Sequence, residues 1–93
     1  MFSVVLKPRA EKEFENLPRE LQQKFFDAFK KLSVDPFKLN SKKLRGTDCG
    51  YRLRIGRWRI LFAVLNNDRR IEIVDIFIKK GKEDYLRKLK LFH

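Results

Sequence analysis

The 93 residues have room for one small domain, and with 43% hydrophobic residues and 13% aromatics, nine of them Phe, they carry enough apolar surface to exclude wholesale disorder. Twenty-three Lys and Arg against twelve Asp and Glu leave a net charge of +11, an excess that points to an acidic partner. A single cysteine, Cys49, and a single histidine, the terminal His93, exclude an intramolecular disulfide, a multi-cysteine zinc site and catalytic sets that need two histidines.

Phe2-Ser3-Val4-Val5-Leu6 is a short β-branched run halted by Pro8, which reads as a first strand with Pro8 opening a helix behind it. Ala10, Phe14 and Leu17 recur at helical spacing among Glu11, Lys12, Glu13 and Glu15, so this helix is short and amphipathic. Pro18 opens a second helix with the stripe Leu21, Phe25, Ala28, Phe29 and Leu32, and Asp35-Pro36 ends it. The two helices make a hairpin. Phe37 to Gly50 keeps neither period and reads as a long basic connecting loop. From Tyr51 the period becomes two: Tyr51, Leu53 and Ile55 alternate with Arg52 and Arg54, then Trp58, Ile60, Phe62 and Val64 with Arg59, Leu61 and Ala63. Gly56-Arg57 between these strands has the chemistry of a type II′ hairpin turn. Asn66-Asn67-Asp68 supplies the next turn and Arg70 to Ile78 a third strand, while Leu86, Leu89, Leu91 and Phe92 allow a short C-terminal helix within Lys82 to His93. The expected fold is α+β: an N-terminal strand, a helical hairpin, then a three-stranded antiparallel meander forming a small sheet with helices on one face. A single domain over 1–93 is expected to have a thin core, since a chain this size buries only roughly 60 to 65% of its unfolded surface.

The charge is unevenly spread. Residues 1–37 carry seven basic and six acidic side chains, a balance of +1, and residues 38–93 carry sixteen and six, a balance of +10. Crowded like charges repel, and a polyanion that releases counterions on binding relieves them, so nucleic acid leads over a membrane surface or a purely protein partner. With Gly56-Arg57 as the turn, Ile55 pairs with Trp58, Arg54 with Arg59 and Leu53 with Ile60. Directly opposed arginines disfavour the pairing by up to about 1 kcal/mol, and Arg52 puts a third cation on the same face. An anion between them reverses the sign. The other face carries Leu53, Ile55, Trp58, Ile60 and Phe62 and rests on the helices, which leaves the arginine face as the uncovered side of the sheet. The third strand ends at Ile78 on the side of Arg54, where Lys79 and Lys80 emerge, and Tyr85 follows within one or two turns. Arginine forks match phosphate oxygens and aromatic rings stack on unpaired bases, which makes single-stranded RNA a chemically suitable ligand. Taken singly, these features also suit a solvated strand face, an edge guard at Lys79 and Lys80 and a packing tyrosine; their convergence on one end of one face sets them apart. No window approaches the roughly 18 apolar residues of a membrane span, and a reducing cytoplasm suits the lone Cys49.

The opening strand, the hairpin ending Leu32-Ser33-Val34-Asp35-Pro36, the segments Lys43-Leu44-Arg45-Gly46, Tyr51-Arg52-Leu53-Arg54-Ile55-Gly56 and Trp58-Arg59-Ile60-Leu61-Phe62, and the β-run leading to Lys79, Lys80 and Tyr85 cover almost the whole chain. In this order and spacing they resemble the RelE/ParE superfamily of toxins from type II toxin-antitoxin pairs. For the RelE-like branch the resemblance implies an endoribonuclease that cleaves mRNA in the ribosomal A site, with site residues Arg52, Arg54, Arg59, Lys79 or Lys80, and Tyr85. It also implies an acidic antitoxin in a hetero-oligomer, ribosome and mRNA as further partners, and no membrane and no cofactor. The same superfamily includes proteins that poison DNA gyrase, and a basic binding module without catalysis is the third alternative. Arginine stands here where that pattern can hold lysines, and a guanidinium is a poor general acid. The chemistry implied is attack of a ribose 2′-hydroxyl on its own 3′-phosphate, giving a cyclic phosphate and a 5′-hydroxyl. Arg54 and Arg59 hold the nonbridging oxygens, Arg52 orients the backbone, Tyr85 is general base or stacking platform, and Lys79 or Lys80 protonates the departing oxygen.

Overall fold

A computed structural model of the chain describes residues 1–38, 40–81 and 83–92, with Glu83 and Asp84 described by their backbone alone. Strand β1 (Ser3–Leu6) leads into helices α1 (Pro8–Glu15) and α2 (Arg19–Val34). Strands β2 (Ser41–Lys43), β3 (Gly50–Ile55), β4 (Trp58–Leu65) and β5 (Arg70–Ile78) follow, and α3 (Glu83–Lys88) runs into a 3₁₀ turn over Leu89–Phe92. Pro8 takes the first turn of α1, where its missing N–H is no loss. The helices form the expected hairpin: the Gln22 side chain donates to the Phe14 carbonyl at 2.9 Å, and the Phe14 and Phe29 rings meet at 5.9 Å. Pro36 disfavours helix in the residue before it, and Asp35 is accordingly extended at φ −153°.

Among the described residues five strands form one sheet in the order β1-β5-β4-β3-β2. The meander β3-β4-β5 has the expected register, with Leu53 opposite Ile60, Arg54 opposite Arg59 and Ile55 opposite Trp58. Gly56 sits at φ 58°, the conformation that the first position of the turn requires. The segment from Phe37 to Gly50 is not loop throughout. Ser41–Lys43 pairs antiparallel with β3, and β3 itself begins at Gly50. Three residues, two of them lysine, carry no hydrophobic alternation, so this edge strand owes its pairing to the open side of β3 rather than to its own pattern.

The main core lies between the helical hairpin and one face of the sheet, where Phe25, Phe29 and Leu32 meet Leu53, Ile60, Phe62, Ile71, Ile73 and Ile76. Pairing along β4 and β5 steps from Leu61 opposite Asp75 to Phe62 opposite Ile73, so Val74 is the extra residue of a β-bulge. The bulge keeps both Ile73 and Ile76 on the hairpin side and puts Val74 and Asp75 on the other. That second face is not the uncovered surface that strand alternation suggests. Leu44, Leu61 and Val74 form a smaller buried cluster there, joined by Phe77, Tyr85, Leu89, Leu91 and Phe92. Leu61, Val74 and Phe77 make an apolar strip beside the arginines, and α3 with its 3₁₀ turn packs there to remove it from water. Lys82 and His93, the ends of the expected C-terminal helix, lie outside the described residues. Among the described residues no helix is long and apolar enough to cross a membrane.

Candidate nucleic-acid interface

The antiparallel register sets like charges opposite one another twice on the second face, Arg54 with Arg59 and Lys42 with Arg52. The two arginines of the hairpin behave differently. Arg54 is exposed, and its side chain borders two recesses. Arg59 is half-buried and held: its Nη1 donates to the carbonyls of Gly56 at 3.0 Å and Trp58 at 2.9 Å, and its Nε donates to the Tyr85 hydroxyl at 3.1 Å. Carbonyl and hydroxyl oxygens around the Arg59 guanidinium soften its repulsion with Arg54. Arg52 lies between these extremes, with Nη1 donating to the Asn40 carbonyl at 3.3 Å.

Tyr85 reaches Arg59 from α3. Its ring meets Phe77 edge-on at 6.2 Å and 77°, and the Lys79 ammonium stands 5.6 Å from its centroid. The Lys79 backbone N–H donates to the Arg57 carbonyl at 3.2 Å, which fixes the residue after β5 against the hairpin turn. The Lys79 ammonium is therefore at the tyrosine, and Lys80, one position further on, is exposed. A groove of about 310 Å³ runs between α3 and the β2 side of the sheet, lined by Lys42, Lys43, Leu44, Arg45, Arg52, Tyr85, Leu86 and Leu89. An adjoining recess of about 340 Å³ is lined by Asn40, Ser41, Lys42, Arg52 and Arg54. The Ser41 hydroxyl is buried and without a hydrogen-bond partner among the described residues.

The structure thus links Arg59, Tyr85 and Lys79 directly and sets Arg52 and Arg54 along the neighbouring recesses. Sequence reasoning missed Lys42, Lys43 and Arg45 as lining residues. Their run of charge was visible, but a segment without a period offers no way to place it. It also missed Asp75, which is 1% exposed and accepts hydrogen bonds from Arg9 Nε at 3.2 Å, Lys88 Nζ at 2.5 Å and the Ile76 N–H at 2.9 Å. A lone acid in the apolar run Ile73 to Ile78 was the signal.

This geometry is a cationic strip with a fixed phenol at its side, suited to a phosphodiester backbone and an unstacked base. The family model described as ParE toxin of type II toxin-antitoxin system, parDE, matches residues 4–85. A curated relative from Methanocaldococcus jannaschii that carries the name RelE1 is 35% identical over 83 residues, 86% of this chain and 92% of the relative. Among solved structures, the isolated E. coli RelE toxin shares the fold with a TM-score of 0.77 at 17% identity, covering 97% of both chains. RelE from the archaeal RelE-RelB complex of Pyrococcus horikoshii OT3 gives 0.74 at 26% identity, covering 87% of this chain and 97% of that one. A family match that runs from β1 to Tyr85 takes in both cation pairs and the tyrosine beside them, and the chain belongs to the RelE/ParE superfamily as a toxin of a type II toxin-antitoxin system.

Proposed function

We propose that residues 1–93 act as a single toxin domain that inhibits translation in the cytoplasm by cleaving mRNA in the ribosomal A site. The observation that carries this reading is the 3.1 Å hydrogen bond from Arg59 to Tyr85, with the Lys79 ammonium over the same ring. A phenol held among cations is a group placed for reaction or for stacking. The substrate's 2′-oxygen attacks the phosphorus of its own 3′-phosphate; the O2′–P bond forms as the P–O5′ bond breaks. Exposed Arg54 and half-buried Arg52 hold the nonbridging oxygens as charge develops. Arg59, with three of its five donors committed to Tyr85, Gly56 and Trp58, holds the tyrosine in place. Lys79 gives a proton to the departing 5′-oxygen. Tyr85 either takes the 2′ proton or stacks the splayed base while water takes that proton, two roles with different consequences for a variant that lacks only the hydroxyl. The gathered residues are cations and a phenol, which repel rather than hold a divalent metal, so the attack is metal-independent.

With an ammonium and a phenol as the groups nearest the reaction and no histidine beside them among the described residues, the toxin is a slow catalyst by itself, and the ribosome supplies what is missing by fixing the message in a reactive geometry. The strip of cations also suits an acidic antitoxin, as the P. horikoshii relative in a RelE-RelB complex suggests for this chain. Added to ribosomes programmed with a defined message, the toxin is expected to cut at codon-length spacing and to leave naked RNA whole. Intact mRNA on those ribosomes, with folded and antitoxin-free protein, removes this reading. The ParE description of the matching family favours one second reading, action on DNA gyrase, which predicts DNA breakage in the presence of gyrase and whole messages.

A further inference from the structure

Tyr85 sits on a helix of six residues, too short to hold itself by its own hydrogen bonds. Tertiary contacts must fix α3. Most are apolar and slide readily: Tyr85, Leu89, Leu91 and Phe92 lie against Leu44, Leu61 and Val74. Besides the Arg59–Tyr85 bond itself, one contact of α3 among the described residues is directional. Lys88, in the last turn of α3, donates from Nζ to Asp75 Oδ2 at 2.5 Å, and its ammonium stands 4.4 Å from the centroid of Phe77, the ring on which Tyr85 packs. Asp75 faces α3 because of the bulge at Val74; strict alternation from Ile71 and Ile73 would send it to the hairpin side instead. A second cation reaches the same buried side chain, Arg9 of α1, whose Nε donates to Oδ1 at 3.2 Å. The two bonds differ in reach. Arg9 joins Asp75 to the hairpin, whereas Lys88 joins it to the element that carries Tyr85.

We propose that Asp75 is a positioning residue: through Lys88 it fixes α3 on the sheet and so holds the Tyr85 hydroxyl at Arg59. Its bearing on cleavage rests on the role proposed for Tyr85 above, but the placement of Tyr85 is measurable without any activity. The chain has two tyrosines, Tyr51 and Tyr85, so full-length toxin labelled with 3-fluorotyrosine gives two fluorine resonances, assigned with Tyr85→Phe. Tyr51, stacked on Phe62 at 5.7 Å on the hairpin side, is the internal reference. Lys88→Met keeps an unbranched stem over Phe77 and deletes the ammonium. It is expected to shift the Tyr85 resonance, leave that of Tyr51 in place and slow ribosomal cleavage by about 10- to 100-fold, the usual consequence of misplacing a reacting group. Lys88→Arg restores both readouts. Asp75→Asn gives the same shift by a second route should Lys88→Met not fold. Arg9→Met breaks only the other bond to Asp75 and is expected to lower the melting temperature while the Tyr85 resonance stays put. A Tyr85 resonance unmoved in folded Lys88→Met overturns the proposal, and so does an equal displacement in Arg9→Met, which would mark general loosening around Asp75. A shifted resonance with cleavage at the wild-type rate overturns its functional half. Wild-type toxin that cuts no message counts against the proposed function alone, and the fluorine shifts then decide the positioning of Tyr85.

Discussion

Arg54 and Arg59 are register partners with the same side chain and different surroundings. Arg54 has like charge opposite it and water around it, so Arg54→Ala is expected to leave stability unchanged or raise it by a few tenths of a kcal/mol while abolishing mRNA cleavage. Arg59 donates three hydrogen bonds, and Arg59→Ala is expected to cost about 1 to 3 kcal/mol as well as activity. Thermal melts of the two purified variants distinguish them; equal melting temperatures would mean that the Arg59 bonds contribute nothing in solution. Tyr85→Phe keeps the ring against Phe77 and removes only the oxygen that Arg59 binds. A base role for that oxygen predicts a loss in single-turnover cleavage of about 100-fold or more. A loss of no more than about threefold assigns Tyr85 to stacking instead.

Two elements meet on the second face, the turn between Leu44 and Gly50 and the 3₁₀ turn at Leu89–Phe92. The Thr47 hydroxyl donates to the Leu44 carbonyl at 2.8 Å and accepts the Gly50 N–H at 3.1 Å, while the Leu44 N–H donates to the Gly50 carbonyl at 2.9 Å. A Cβ on Gly50 would stand 2.7 Å from Thr47 Oγ1 and 3.0 Å from Phe92 Cε1. Gly50→Ala is therefore expected to push the two turns apart at a cost of about 1 to 3 kcal/mol. Amide exchange should accelerate at Leu89–Phe92 and around Thr47 with the β4–β5 ladder still protected; uniform acceleration would show that the turn is not the site of the damage. Gly56 makes a useful contrast. Its added Cβ meets nothing within 4 Å, and only the positive φ opposes Gly56→Ala, a cost near 1 kcal/mol.

At the scale of the whole molecule, a charge of +11 on 93 residues makes the unbound toxin work against its own repulsion. An acidic antitoxin covering Lys42, Arg45, Arg52 and Arg54 would relieve this repulsion, stabilise the fold by mass action and associate quickly through long-range attraction. Its association rate is expected to fall on the order of tenfold or more between low and physiological salt, measured by stopped flow at several ionic strengths. A rate that ignores salt would leave the antitoxin in place but remove electrostatics as its guide. The same repulsion sets the need for a tether on α3, since that helix ends in Arg87 and Lys88 and lies on the face that already carries the strand arginines.

Local periodicity was enough to determine the order of strand, helical hairpin and meander, because apolar residues repeat at about 3.6 residues from Ala10 to Leu32 and at 2 from Tyr51 to Val64. It also determined the opposition of Arg54 and Arg59, because a two-residue turn at Gly56-Arg57 leaves one register. The chain's patterning names these cations as one group without saying which is free and which is held. Strand β2 exists only because β3 offers an unpaired edge, and the bulge at Val74 exists because Ile76 must return to the core. Both depend on residues far away in the chain, and neither leaves a local period. The side of the sheet on which α3 lies, the approach of Lys79 to Tyr85, the Arg59–Tyr85 bond and the burial of Asp75 between Arg9 and Lys88 were decided by tertiary packing, since each joins groups 6 to 66 residues apart and none is favoured until the sheet has brought them together.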